Sequence, residues 1–172
     1  VGYDLRWNSK ENFLAIWSKY LPDSTTTELA KDIGKRGTKA RVTELRHMGI
    51  EVPFKCAWKV FAEETLPRFY NDTEAIYPSL EHLPRLCSSV LVSIVFNRGN
   101  DLKGDRRKEM KAIQAVLSKA EEVWNNKAQA KLVLAEVEGQ IVSMKRLWSS
   151  SSGLFKRRQA EANLWRKGLE QW

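Results

Sequence analysis

The sequence predicts an all-α protein, or an α+β protein with a minimal β element at its N-terminal edge, arranged around one buried central helix. Apolar residues recur at helical spacing from end to end, and no alternating strand pattern of useful length interrupts them. Residues 83–96 are apolar around most of a helical circumference, which is typical of a helix buried on every side. With 172 residues, the chain is expected to form a single domain over 1–172.

Capping residues and helix breakers set the predicted ends of the helices. Ser9 and Thr38 precede helical patterns and are typical N-caps. Gly34 and Gly49 follow such patterns and are typical of helix ends, while Pro67 is expected to end or kink the helix before it. The predicted helices cover residues 9–21, 25–33, 38–48, 53–66, 83–96, 106–119, 126–147 and 154–172.

The chain is strongly basic, with a formal net charge of +8 at pH 7. An anionic partner is therefore expected: nucleic acid, an acidic membrane surface or an acidic polysaccharide. Basic clusters such as 106–108 and 156–158 are short and lack a nucleic-acid-binding motif, so they are interpreted as solvated helix faces, and no specific nucleic-acid partner is predicted. The longest apolar stretch, 90–96, is far too short to span a bilayer, and no membrane insertion is predicted.

Cysteine and histidine are sparse, which argues against metal and cofactor chemistry. Cys56 and Cys87 lack the spacing of a zinc site and are interpreted as free buried thiols, with a disulfide between them left open as the alternative. His47 and His82 have no partner at metal-ligand spacing. The sequence contains no glycine-rich phosphate loop and no serine nucleophile motif. Neither a metal nor a cofactor is predicted.

The chain contains seven tryptophans. Trp148 differs from the others, because it lies where a helix gives way to the serine-rich connection 149–153. A ring at such a junction can form the wall of a sugar site or fill the core, and the residues alone leave both open. Four others fall on helical patterns, where burial of a large ring is the usual role, and are expected in the core: Trp7, Trp17, Trp58 and Trp124.

Three parts of the chain, in the right order, resemble lysozyme-like muramidases. Residues 91–99 (LVSIVFNRG) resemble the end of the central helix of that family, and 144–148 (MKRLW) with 153–162 (GLFKRRQAEA) resemble its closing segment. Residues 2–5 (GYDL) are similar to the tail of a TxGxGxDL turn in the pesticin-type branch, which is known from bacteriocins, phage endolysins and type VI secretion spike effectors. The resemblance extends over essentially the whole chain.

This resemblance implies a lysozyme-like fold and hydrolysis, without a cofactor, of the β-1,4 bond between N-acetylmuramic acid and N-acetylglucosamine in peptidoglycan. Peptidoglycan glycan strands would be the main partner and an immunity protein a further one. The protein would act in the bacterial periplasm or on the cell wall, delivered as a phage endolysin, a bacteriocin or a secreted effector domain. Related helical enzymes cleave chitosan or chitin, so the sugar backbone is less well defined than the reaction.

Glycoside hydrolysis needs one carboxylic acid that protonates the leaving oxygen and a second acidic group that stays ionised. In the pesticin-type pattern, the groups involved are an upstream Glu, the Thr that opens the turn and the Asp that closes it. The resemblance assigns this Asp to Asp4 as the catalytic residue. The Glu and the Thr are expected upstream of Val1, so the chain is expected to lack its N-terminal catalytic segment. The alternative for Asp4 is a loop residue that caps the helix after Ser9.

The resemblance also predicts substrate-binding residues. Tyr3 lies in the same turn as Asp4, and Asn97 lies where family members hydrogen-bond a sugar. The alternative for Asn97 is a helix C-cap beside Gly99. The cleft is expected where Asp4, Asn97 and Trp148 meet.

Three residues of the closing segment complete the predicted substrate-binding set. Trp148 would form the wall of the sugar site. Arg146 and Arg157 would offer guanidinium donors to an acidic group at the site or to a stem-peptide carboxylate. Their alternative is an ion pair with Glu109, Glu161 or a similar residue.

Two other classes of function stay open. A non-catalytic cell-wall-binding or structural domain would sediment with sacculi without releasing reducing ends. A basic helical nucleic-acid-binding module would bind DNA with a steep salt dependence and would have no affinity for sacculi.

Overall fold

The computed structural model describes residues 3–172, and every regular element in that range is helical. The all-α prediction is confirmed for these residues, which contain no strand. The lysozyme-like arrangement of the helices stays a prediction. The chain divides into two compact units, Val1–Arg68 and Phe69–Trp172, and the single domain over 1–172 stays a prediction.

The α-helices described over residues 3–172 correspond to predicted ones except Leu66–Glu74, which extends beyond the predicted end at residue 66. Short 3-10 turns lie before the first α-helix and between some of the others, at Leu5–Trp7, Pro78–His82, Asp105–Arg107 and Met144–Leu147. The α-helices are α1 Lys10–Trp17, α2 Asp23–Ala30, α3 Lys39–His47, α4 Phe54–Val60, α5 Leu66–Glu74, α6 Arg85–Arg98, α7 Lys108–Glu122, α8 Lys127–Ser143 and α9 Gly153–Glu170. None of the helices described over residues 3–172 combines the length and apolar character needed to cross a bilayer.

The first unit contains α1 to α4, and the predicted caps are confirmed there. The Ser9 hydroxyl accepts a hydrogen bond from the Asn12 amide at 3.1 Å, and the Thr38 hydroxyl accepts one from the Arg41 amide at 3.2 Å. These bonds satisfy amide groups that have no partner within their own helix. The core of this unit is small and is formed by Phe13, Trp17, Leu21, Ala57 and Val60.

Pro67 does not end its helix, which was the first of the two effects predicted for it. Residues Phe61–Thr65 adopt a π-helical turn, and α5 continues through Pro67 as far as Glu74. A proline has no N–H and its ring collides with the carbonyl four residues earlier, here that of Glu63. Because Glu63 lies inside the wider π turn, its carbonyl does not follow the α-helical ladder, and the helical path continues past the proline.

The second unit is built around α6, which confirms the predicted central helix with its ends moved by two residues. Val90, Leu91, Ile94 and Val95 are all 0% exposed. Helix α8 packs against both α7 and α9, and α9 packs against α6. Buried apolar residues of α7, α8 and α9 belong to the same core as those of α6, as the composition of α6 predicts.

Two of the four tryptophans expected in the core are not there. Trp7 is 75% exposed and Trp58 is 53% exposed. Trp58 lies on an aromatic face of its helix, with its ring centroid 6.3 Å from that of Phe54. Trp17 is buried as predicted, and Trp124 is half-buried against the core of the second unit.

Both cysteines are free thiols, which confirms the interpretation from sequence. Cys87 is 0% exposed on α6, and burial raises the pKa of its thiol to about 12. A thiol with so high a pKa is almost wholly protonated at neutral pH and is a poor nucleophile. Cys87 is therefore a packing residue. Cys56 is half-buried in the first unit.

Candidate functional site

A pocket of about 610 Å³ lies at the carboxyl end of α6, within the unit Phe69–Trp172. Its volume is typical of sites for small ligands. It brings together residues of segments 96–99 (FNRG) and 146–148 (RLW), which are far apart in the sequence. The lining residues are Asn97, Arg98, Lys103, Gly104, Asp105, Arg106, Arg107, Trp148 and Leu154.

Two glycines shape the loop that closes one side of the pocket. Gly99 caps α6 with φ +75°, and Gly104 precedes the turn Asp105–Arg107 with φ +82°. Residues with a side chain disfavour a positive φ, which glycine adopts without strain because it has no Cβ atom. The loop thereby returns to the end of α6, where the Arg98 guanidinium donates a hydrogen bond to the Arg106 carbonyl.

Arg98 is buried beside the pocket. The residue is only 7% exposed, and its Nε donates to the Met110 sulfur at 3.4 Å. It forms no ion pair with any carboxylate of residues 3–172. Burial and the neighbouring charges of Arg107 and Arg158 together lower the pKa of Arg98 to about 10, although the carboxylate of Glu109 acts in the opposite direction. The guanidinium remains charged at neutral pH.

Trp148 is half-buried, and its ring lies close to the guanidinium groups of two arginines. The ring centroid lies 5.4 Å from the Arg98 guanidinium carbon and 5.7 Å from that of Arg158. Both distances are within the range of cation–π attraction. Trp148 packs against the core, which is one of its two predicted roles, and it also lines the pocket. Its role as the wall of a sugar site stays a prediction.

Arg158 belongs to a polar network beneath the pocket wall. It is 0% exposed, and Glu161 is 5% exposed. Arg158 Nη2 donates to Glu161 Oε1 at 2.9 Å, and Arg157 Nε donates to the same oxygen at 3.1 Å. The Ser93 hydroxyl on α6 donates to it as well, at 2.6 Å. This network fixes α9 against α6.

Arg157 therefore forms the ion pair with Glu161 that the sequence left open as the alternative to substrate binding. Its Nη2 also donates to the Ser93 hydroxyl at 2.8 Å. About a third of its side chain is exposed. Substrate binding by Arg157 stays a prediction.

Arg146 also makes the ion pair named as its alternative. It pairs with the buried Glu109, and its Nη1 lies 2.9 Å from Asp105 Oδ2. The hydrogen bond from Arg146 lowers the pKa of Asp105. The two carboxylates together fix Arg146 behind the pocket, and its contact with substrate stays a prediction.

Asn97 lines the pocket from the last turn of α6. Its alternative as a C-cap is wrong, because α6 continues to Arg98 and Gly99 is the cap. Asn97 Oδ1 is buried without a hydrogen-bond partner in the described structure. A buried acceptor without a donor is uncommon and often marks a functional position.

Asp4 and Tyr3 belong to the other unit, so their expected meeting with Asn97 and Trp148 stays a prediction. Asp4 is exposed, and its Oδ1 accepts a hydrogen bond from the Arg6 amide at 2.9 Å. Asp4 thus caps the turn Leu5–Trp7 rather than α1.

Tyr3 packs its ring against Phe13 and Trp17, at centroid distances of 6.3 and 5.4 Å. Burial raises the pKa of its hydroxyl group. The side chain is thus part of the core of the first unit, and a contact with substrate is available only to the part that stays exposed.

Comparison with protein-family models, curated proteins and solved structures finds no match for this chain. The resemblance to pesticin-type muramidases rests on the sequence motifs quoted above.

The pocket has the character of an anion-binding site. Among residues 3–172, its lining includes four cations and one carboxylate, Asp105, which is engaged by Arg146. An ionised Asp105 cannot protonate a leaving group, so it is unsuited to be a general acid. Among residues 3–172, no three His, Cys, Asp or Glu side chains are grouped to hold a metal ion.

The sequence interpretation missed the cations that line this pocket. Arg106 and Arg107 were expected on a solvated helix face, and Arg98 and Lys103 received no binding role. The available signal was the pair Gly99 and Gly104, which encloses a short loop between basic residues and directs it back to the helix end.

Proposed function

We propose that the protein is a muramidase, which cleaves the β-1,4 bond between N-acetylmuramic acid and N-acetylglucosamine in peptidoglycan. The pocket at the end of α6 is taken as part of its glycan-binding site. The observation that carries this proposal is that Asn97 and Trp148, two residues of the resemblance, line one pocket of suitable size.

The chemistry of the pocket suits a sugar chain that carries anionic groups. The Trp148 ring offers an apolar surface for a pyranose face, and Asn97 offers an amide for a sugar hydroxyl or N-acetyl group. The net charge of +8 attracts the protein to the anionic cell wall. This attraction weakens as salt is added.

Two acidic groups carry out the reaction in this proposal. Asp4 takes the role of the second acidic group, as the resemblance implies. The general acid follows the pesticin-type pattern, in which it is a Glu that precedes the turn containing Asp4. Whether the reaction retains or inverts the anomeric configuration depends on the separation of these two carboxyl groups.

The proposal is tested by incubating purified sacculi with the protein and measuring the release of reducing ends. Where the chain is part of a longer natural polypeptide, that polypeptide is used. We expect Asn97→Ala to lower turnover by at least about tenfold with an unchanged melting temperature, because it removes a sugar-binding amide whose Oδ1 has no internal hydrogen-bond partner. Asp4→Asn is expected to abolish release.

The matched control is Asn163→Ala, which changes an exposed asparagine on α9 and should leave turnover unchanged. Equal activity of wild type and Asn97→Ala would remove Asn97 from the site. Lysis that survives Asp4→Asn would leave Asp4 as a turn cap only.

A non-catalytic wall-binding domain is the second candidate. It is favoured by the state of Asp105, the carboxylate of the described pocket lining, whose pKa is lowered by Arg146. This candidate predicts sedimentation with sacculi and no release of reducing ends. Steeply salt-dependent DNA binding without sedimentation would instead favour a nucleic-acid-binding module.

A further inference from the structure

We propose that the pocket at the end of α6 binds a carboxylate of the peptidoglycan stem peptide, with Arg98 as its principal donor. This inference rests on the proposed function, since the stem peptide is attached to the muramic acid of the glycan. It adds a specificity site that distinguishes peptidoglycan from glycans without carboxylates.

The distribution of charge around the pocket is the first support. Arg98, Lys103, Arg106 and Arg107 all line it, and none of them forms an ion pair with a carboxylate of residues 3–172. Asp105 is paired with Arg146 at 2.9 Å and with Lys108 at 3.5 Å. The pocket therefore has an excess of positive charge that its own carboxylate does not balance, and such an excess favours an anionic ligand.

The burial of Arg98 is the second support. Arg98 is only 7% exposed, so its guanidinium has lost most of its hydration. Its described hydrogen bonds go to the Met110 sulfur and the Arg106 carbonyl, both uncharged acceptors. A carboxylate is the acceptor that fits the planar guanidinium best, because two parallel N–H···O bonds can form.

Trp148 holds this guanidinium at the pocket wall. The 5.4 Å contact between Arg98 and the ring restricts the rotamers of both side chains. A restricted donor loses less conformational entropy when a ligand binds, and this increases affinity. The same ring lines the pocket, where it can contact the sugar that carries the peptide.

The test is a binding titration of the full chain with two forms of one muropeptide. The first is the disaccharide tetrapeptide with free carboxylates, and the second has the same structure with its carboxylates amidated. We expect the amidated form to bind at least about tenfold more weakly, as is typical when a hydrogen bond to a charged group is lost. In NMR spectra, the indole N–H resonance of Trp148 can be assigned by its absence in Trp148→Phe. This resonance should shift when a muropeptide that binds saturates the protein, and it should not shift with one that does not bind.

Variants assign the effect to the pocket. Arg98→Met should weaken binding of the free-carboxylate form by about tenfold and leave the amidated form unaffected. Because Arg98 is buried, Arg106→Gln and Lys103→Gln provide a second route through exposed residues, with expected losses of about threefold each. Lys119→Gln, an exposed cation on α7 away from the pocket, is the matched control and should change nothing.

Three outcomes would overturn the inference. Equal affinity for both muropeptide forms would remove the carboxylate site, while reducing-end release from sacculi would keep the muramidase proposal intact. Inorganic phosphate that binds as tightly as the muropeptide would make the pocket a general anion site. Binding of neither form, together with no release of reducing ends, would contradict both proposals.

Discussion

Two buried guanidiniums contact the same tryptophan, yet their surroundings differ. Arg158 is 0% exposed and shares Glu161 with Arg157. Arg98 is 7% exposed and has no carboxylate partner among residues 3–172. The pKa of both is lowered by burial, and for Arg98 it reaches about 10.

The difference separates a structural charge from one that is available to a ligand. Arg158 has its counter-charge within the fold, at 2.8 Å between Nε and Glu161 Oε2. Arg98 lies beside a pocket and has uncharged internal acceptors. A charged side chain that is buried without a counter-charge destabilises the fold. Such a residue is therefore expected where the charge is used to bind a ligand.

The largest expected effect comes from breaking the network around Arg158. Glu161→Gln removes the carboxylate that Ser93, Arg157 and Arg158 all contact. We expect the free energy of unfolding to fall by about 3 kcal/mol, because a buried guanidinium loses its counter-charge. Urea denaturation measures this loss.

Glu138→Gln is the matched control, because Glu138 pairs with the exposed Arg166. Exposed ion pairs contribute little to stability, so the free energy of unfolding should fall much less in Glu138→Gln than in Glu161→Gln. Equal losses of unfolding free energy in Glu161→Gln and Glu138→Gln would show that the buried ion pair contributes no more to stability than the exposed one.

The opposite sign is expected at Arg98. Arg98→Met keeps much of the side-chain length and removes a charge without a counter-charge. We expect the free energy of unfolding to stay the same or to rise by up to about 1 kcal/mol, while binding of the muropeptide weakens. A loss as large as that of Glu161→Gln would show that Arg98 is a structural residue and would contradict the comparison.

The pH dependence of stability gives a smaller, independent test of Arg98. Its pKa is about 10 in the folded protein and higher in the unfolded chain, so above pH 10 the unfolded chain holds more protons. Wild-type stability should therefore rise relative to Arg98→Met as the pH rises from 9 to 11, by up to about 1 kcal/mol. Parallel pH profiles of the two proteins would contradict this.

Local sequence patterns predicted the helices well, because capping and apolar spacing act over a few residues. Ser9 and Thr38 cap as expected. Continuation of the helix through Pro67 could not be predicted, because the π turn that accommodates the proline has no clear local signal.

The candidate site was predictable only in part, because its charges depend on contacts across the fold. The motifs identified Asn97 and Trp148, which line one pocket. They did not reveal the burial of Arg98, which depends on the return of the loop after Gly99 to the end of α6. Nor could they show which arginines find carboxylates, since Arg146 pairs with residues distant in the sequence.

The most direct test of the account is the chemical identity of the ends produced in peptidoglycan. Sacculi are incubated with the protein, or with the longer natural polypeptide where the chain is part of one. They are then reduced with borohydride and analysed by mass spectrometry. The account predicts reduced N-acetylmuramic acid at the new ends, and fewer of them with Asn97→Ala. New ends of N-acetylglucosamine, or none at all, would contradict it.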